Sequence, residues 1–178
     1  MDLRTERTRR SIVNAFLELR AKKSIEKISI KELAELACIN KATFYSHYHD
    51  IYDLSEQLEN EVITSIILGI QHPDRLIKEP KQIVYEMTMD MIAKEKLLNT
   101  LFSGSRAGFL MKKLELGLKE RIFEQYPEYR ENITWNLVLS VLVYGNYYAC
   151  LEQKENDMDQ VCELLGEISA CLSENFLQ

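Results

Sequence analysis

The apolar residues of this chain recur at helical spacing almost from end to end. Ile12, Phe16 and Leu19, with Val13 and Ala15 beside them, form a stripe at three- and four-residue steps and predict a first helix from Arg4 to about Lys22. Ile30, Leu33, Ala34 and Ala37 recur at i, i+3, i+4 and i+7 on a short second helix. Leu54, Leu58, Val62, Ile66 and Ile70 carry a long one, which His72 and Pro73 break. Pro80 opens a helix running to about Leu98, and a short piece surrounds Leu101. Gly104 and Gly108 then interrupt the chain before a helix that stops at Tyr126 and Pro127. Asn132 to Leu151 is twenty residues without a charge, apolar on nearly all faces, so burial on all faces is expected. From about Asp157 to Phe176, Met158, Val161, Leu165, Ile168 and Leu172 make a packing seam. No segment alternates with period two, and only three prolines and six glycines occur. The expected fold class is all-α.

Between Ser29 and Leu54 two helix starts stand close together. Ser29 followed by Glu32 is a capping box: the hydroxyl accepts from the Glu32 amide while the carboxylate reaches back to the Ser29 amide. Asn40 is a good N-cap for the next helix, and only Ala37, Cys38 and Ile39 separate the two. Two short helices joined by so tight a turn make a helix-turn-helix. Asp50 caps the long helix that follows. This sets a three-helix domain at residues 1–49 and a larger helical domain at 50–178; the likeness described next implies that the first binds DNA and the second binds ligand and dimerises. At about 100° per residue, Phe44 and Tyr48 of the second short helix face the core, with the small Ala42 and Ser46 opposite. Tyr45 flanks the small face on one side, with Lys41 close to it; Thr43 and His47 flank the other. Small residues let a backbone approach base edges in a major groove, and flanking donors reach the phosphates on its walls. Lys41 is the better placed for a base contact.

These residues resemble the DNA-binding domain of the TetR/AcrR family of bacterial transcriptional regulators. Ser29, Leu33, Ala34, Ala37, Ile39, Asn40, Thr43, Tyr45, His47, Tyr48 and Leu54 match its pattern in register. Three positions depart. Cys38 stands for the turn glycine, where a left-handed backbone costs more; Ala42 stands at the small, often glycine, position; Ile51 stands where a phosphate-binding lysine is usual. The likeness covers roughly the first third of the chain. It implies a homodimer on a double-stranded operator, most simply as a repressor, with a four-helix dimer bundle formed by the last two helices of each chain. It also implies a small-molecule effector, here unidentified, in the C-terminal domain. The DNA-binding residues it implies are Ser29, Lys31, Asn40, Lys41, Ala42, Thr43, Tyr45, Ser46 and His47. The arginines crowding the first helix start, among them Arg4 and Arg7, would lie near the DNA backbone. Met87, Met91, Phe102, Phe109, Trp135 and Tyr147 are candidate effector-binding residues, though such side chains suit plain core equally well.

The net charge of −6 alone argues against nucleic acid, but its distribution reverses that. Residues 1–50 hold ten Lys or Arg against seven Asp or Glu, whereas the remainder holds twelve against twenty-one. Four cysteines without a C-x-x-C pair form no disulfide framework. Cys38 is expected to sit sheltered in the turn. No apolar stretch follows the charged start, so a signal peptide is not expected and the cytoplasm is. The uncharged twenty residues are long enough for a bilayer. However, Asn132, Thr134, Asn136, Ser140, Gly145 and Asn146 argue against a membrane. Three histidines, no H-E-x-x-H and no glycine-rich phosphate loop leave no residue to support an enzyme, a metal or a cofactor. Two other readings stand beside the effector-responsive regulator. One is a regulator controlled by a protein partner or by Cys38 oxidation; the other is an all-α interaction protein that has lost DNA binding.

Overall fold

The computed structural model describes residues 3–70, 72 and 74–177, so the Pro73 half of the expected break lies outside them. The described residues are all-α, with ten α-helices, three short 3-10 turns and no strand. In order they are α1 (Leu3–Arg20), α2 (Ile30–Leu36), α3 (Lys41–Tyr45), α4 (Ile51–Gly69) and α5 (Arg75–Lys78). Then come α6 (Pro80–Ala93), α7 (Glu95–Leu101), α8 (Phe109–Gln125), α9 (Ile133–Glu152) and α10 (Met158–Phe176). The 3-10 turns cover Ile25–Lys27, Gly104–Arg106 and Pro127–Tyr129.

The chain forms two compact units. The first holds residues 1–61 and 96–108, the second 62–95 and 109–178. The expected boundary at 49/50 falls at a helix start, whereas these units divide within α4. In the first unit the α1 stripe is buried at Ile12, Ala15, Phe16 and Leu19, together with Leu33, Phe44, Tyr48, Ile51 and Leu54. The α4 stripe is buried along its whole length, from Leu54 to Ile70. One helix thus supplies core to both units.

One helix boundary differs from the expected one, and one short helix was not expected. The helix opened by Pro80 ends at Ala93, because Lys94 leaves the helical region (φ −100°, ψ 5°) and its amide turns back on the Asp90, Met91 and Ile92 carbonyls. Ala, Lys and Glu are all good helix formers, so nothing in the sequence marks that break. Helix α5 is too short to show a period. Its Arg75 pairs with Glu79 at 2.7 Å and Glu86 at 3.0 Å. The Glu86 carboxyl is accordingly held below the usual carboxylate range, chiefly by the Arg75 hydrogen bond.

In the second unit α9 is buried within this chain on one side only. Its buried side chains are Trp135, Val138 and Leu139, on one side. Ile133 is 82% exposed and Leu137 64%, and Val141, Tyr148 and Leu151 are exposed on the same opposite side. The buried residues of α10 are small, Cys162, Gly166, Ser169 and Ser173; Gly166 meets α6, and the Ser169 hydroxyl accepts from Asn146 Nδ2 of α9 at 3.1 Å. A Cβ on Gly166 would lie 2.9 Å from the Lys81 Cα, so the two backbones touch there. The expected seam lies about a quarter-turn further round, where Ile168 is 57% exposed. The exposed stripes of α9 and α10 border an apolar groove of about 420 Å³, lined by Ile133, Leu137, Val141, Leu172 and Phe176 among others. Among the described residues, no helix is long and apolar enough to cross a membrane.

Candidate nucleic-acid interface

The local chemistry that ends α2 and starts α3 fixes the angle between them. Ser29 Oγ accepts from the Glu32 amide at 3.2 Å, which is half of the expected capping box. The other half is replaced, because the Glu32 carboxylate turns to Lys23 Nζ and anchors the α1–α2 connection instead. At the far end of α2 the Cys38 amide donates to the Glu35 carbonyl (3.2 Å) and the Ile39 amide to the Ala34 carbonyl (2.9 Å). That pair of bonds is the Schellman motif, which requires a left-handed residue between cap and exit. Cys38 takes it, with φ 55°. Its side chain is exposed rather than sheltered by the core. A residue one step past the C-cap points away from the helix, so shelter was the wrong expectation.

Asn40 then caps α3: its Oδ1 accepts from the Thr43 amide at 2.7 Å and from the Thr43 hydroxyl at 3.0 Å. Helix α3 is brief, and Ser46 is its C-cap. His47 and His49 therefore lie beyond the helix. Phe44 and Tyr48 pin this turn to the core, 0% and 3% exposed, with ring centroids 5.8 Å apart. Against that anchor the opposite face is open. Lys41, Ala42 and Ser46 are exposed, Tyr45 is 55% exposed, and Thr43 and His47 are half-buried on the flank. The small residues thus sit where close approach is possible, with donors on both sides.

The remaining sequence-derived positions divide. Ser29 and Asn40 are exposed cap residues; the Ser29 oxygen holds the cap as an acceptor, so the hydroxyl can still donate. Lys31 is exposed, 3.9 Å from Glu35. Arg4 and Arg7 are exposed on the first turns of α1. Arg9, in the same cluster, pairs with Glu61 on α4, and that hydrogen bond raises its pKa. Its role is to hold α1 on α4. Thr43 is committed to its cap, which gives it a structural part beside any phosphate contact.

At the start of α4 the capping is reciprocal. Asp50 Oδ1 accepts from the Tyr52 and Asp53 amides at 2.7 and 2.8 Å, and Asp53 Oδ2 accepts from the His49 amide at 2.8 Å. The hydrogen bonds from Gln57 and from that amide hold the Asp53 carboxyl below the usual carboxylate range. Ile51, at the position usually taken by lysine, is buried, and the exposed residue of this turn is Tyr52. Tyr52 offers a hydroxyl that the sequence reading passed over. Its signal was there, since helical register turns position 52 outward once 51 and 54 are core.

The candidate effector residues differ in setting. Met87 and Met91 are half-buried one turn apart on α6, and Tyr147 is half-buried on α9. The Thr88 hydroxyl of α6 lies 3.7 Å from Cys150 Sγ of α9. Phe109 is exposed at the start of α8, and Phe102 is buried in the first unit. Trp135 stacks on Tyr129, with centroids 4.0 Å apart and planes at 5°, inside a core with Ile122, Phe123 and Leu139. Its ring serves packing.

No protein-family model, curated protein or solved structure matches the chain. Its own residues therefore carry any functional reading.

Proposed function

We propose that this protein is a dimeric, DNA-binding transcriptional regulator of the TetR/AcrR kind, which responds to a small molecule in its second unit and acts as a repressor. One observation carries the reading: α2 and α3 are capped, joined by a Schellman turn and pinned by Phe44 and Tyr48, so that Lys41, Ala42, Tyr45 and Ser46 face solvent together. That layout supports entry of α3 into a major groove, with Lys41 reading a base edge. Tyr45, His47, Ser29, Lys31 and the α1 arginines then contact phosphate oxygens. The exposed stripes of α9 and α10 support pairing with a second copy, because apolar patches of that length on a soluble chain mark interaction surfaces. A dimer reads two half-sites about 34–36 Å apart or a multiple of that. Ligand and DNA then oppose each other by linkage, each weakening the other's binding by the same factor.

Fragments of the source genome retained by the purified protein test this directly. Sequencing them should return an inverted repeat. Lys41→Ala should relax preference at one or two base pairs in each half by about 1–3 kcal/mol. Retention of no sequence above background would refute the reading.

A further inference from the structure

Two thiols meet where α6, α9 and α10 pack together in the second unit. Cys150 is half-buried near the end of α9, and Cys162 is 1% exposed on α10. The Thr88 hydroxyl of α6 lies 3.7 Å from Cys150 Sγ, and it also hydrogen-bonds to the Cys162 thiol. The two sulfurs therefore flank one oxygen. Their setting is held from two sides. One turn from Cys162 the α10 backbone touches α6 at Gly166 and Lys81, and one turn from Cys150 the Asn146 amide donates to Ser169 of α10 at 3.1 Å. No C-x-x-C spacing announces the pair, because the α9–α10 hairpin assembles it. Cys38 and Cys171, by contrast, are exposed.

We propose that Cys150, Cys162 and Thr88 form a binding site for a trivalent arsenical, with both sulfurs bonded to arsenic and the Thr88 hydroxyl on its remaining oxygen. The site goes beyond the DNA-binding reading and stands independently of it. Burial pushes both thiols up, the Thr88 hydrogen bond offsets this only in part, and Asp159 adds to the rise at Cys162. A ligand that needs free thiolates, or an oxidant that thiolates attack, is therefore poorly served. A metal ion such as zinc wants four donors, and among the described residues no group of three or more His, Cys, Asp or Glu could hold one. Arsenous acid, the trivalent hydroxide of arsenic, meets each limit. Two arsenic–sulfur bonds form and two arsenic–oxygen bonds break; each thiol proton leaves with a hydroxide as water, and arsenic stays trivalent. The product, with arsenic on two sulfurs and one hydroxyl, is uncharged, so no bare charge is left in the buried site. Its last hydroxyl finds in Thr88 a group that both donates and accepts. Half-buried Cys150 is the point of entry.

The test is arsenite titration of the reduced full chain, read by native mass spectrometry and by X-ray absorption at the arsenic edge. Wild type should take up a single arsenic per chain, with two sulfurs and one oxygen around it. Losing either thiol removes the chelate, so Cys150→Ala and Cys162→Ala should each weaken binding about a hundredfold. Cys150 is half-buried, and its variant keeps the test decisive should Cys162→Ala not fold. Cys38→Ser with Cys171→Ser should bind as the wild type does. Thr88→Val should keep both sulfurs on arsenic and bind severalfold more weakly. No uptake by the wild type, uptake that survives Cys150→Ala, or uptake lost with Cys38 and Cys171 overturns the site. So does a shell of three sulfurs, the mark of exposed thiols gathered from different chains.

Discussion

At the scale of single residues, the turn between α2 and α3 carries the sharpest consequence. Cys38 holds φ 55° in a position that favours glycine. A left-handed L-residue costs on the order of 1–2 kcal/mol, offset in part because glycine gives the unfolded chain more freedom to lose. Cys38→Gly should therefore stabilise the protein by a few tenths to about 1 kcal/mol, read as a raised urea midpoint with unchanged slope. A lowered midpoint would show that the thiol makes a contact worth more than the strain. The exposed thiol also puts the oxidation reading within reach of the same pair of proteins. If peroxide abolishes DNA binding by wild type and not by Cys38→Gly, the turn is the sensor. Much at this scale was legible in the sequence. Ser29 and Asn40 cap as their side chains dictate, and Phe44 faces inward as its angle requires, with Tyr48 buried just past the helix. What was hidden depended on distant partners. Glu32 has Lys23 within reach and abandons its own cap, and Thr43 spends its hydroxyl on Asn40.

At the scale of elements, α10 separates two kinds of packing on one helix. Its small-residue face sits against α6 so closely that Gly166→Ala would press a methyl on the Lys81 backbone at 2.9 Å. We expect a destabilisation of about 1–3 kcal/mol by urea unfolding, the usual cost of overpacking, with the oligomeric state unchanged. Ile168→Glu on the exposed face should do the reverse, leaving helical content intact while sedimentation shows the mass fall from dimer to monomer. A dimeric Ile168→Glu would place the interface elsewhere. This division explains what the sequence left open about α9 and α10. Periodicity marks which face of a helix is apolar, but not whether the same chain covers it. Backbone contact at Gly166 leaves no hydrophobic signature at all. The break at Lys94 escaped for a related reason, as every residue around it favours helix.

At the scale of the whole molecule, the basic excess of residues 1–50 lies in the unit that presents α3, while the acidic remainder makes up most of the other. Net charge alone would have excluded nucleic acid; its segregation supports it. The chain order also misled about the first unit. Segment 96–108 joins it through Arg20, Glu26, Glu59 and Arg106, charged side chains that a sequence reading assigns to solvent. The central claim is that this surface holds duplex DNA, and affinity for a mixed-sequence duplex measured against salt tests it most directly. A dimer brings the phosphate-facing cations Arg4, Arg7 and Lys31 from each chain. The predicted result is binding at about 50 mM salt that weakens roughly a thousandfold by about 200 mM, the behaviour of a protein neutralising about six phosphates. No binding at the lower salt, or an affinity indifferent to salt, would contradict it.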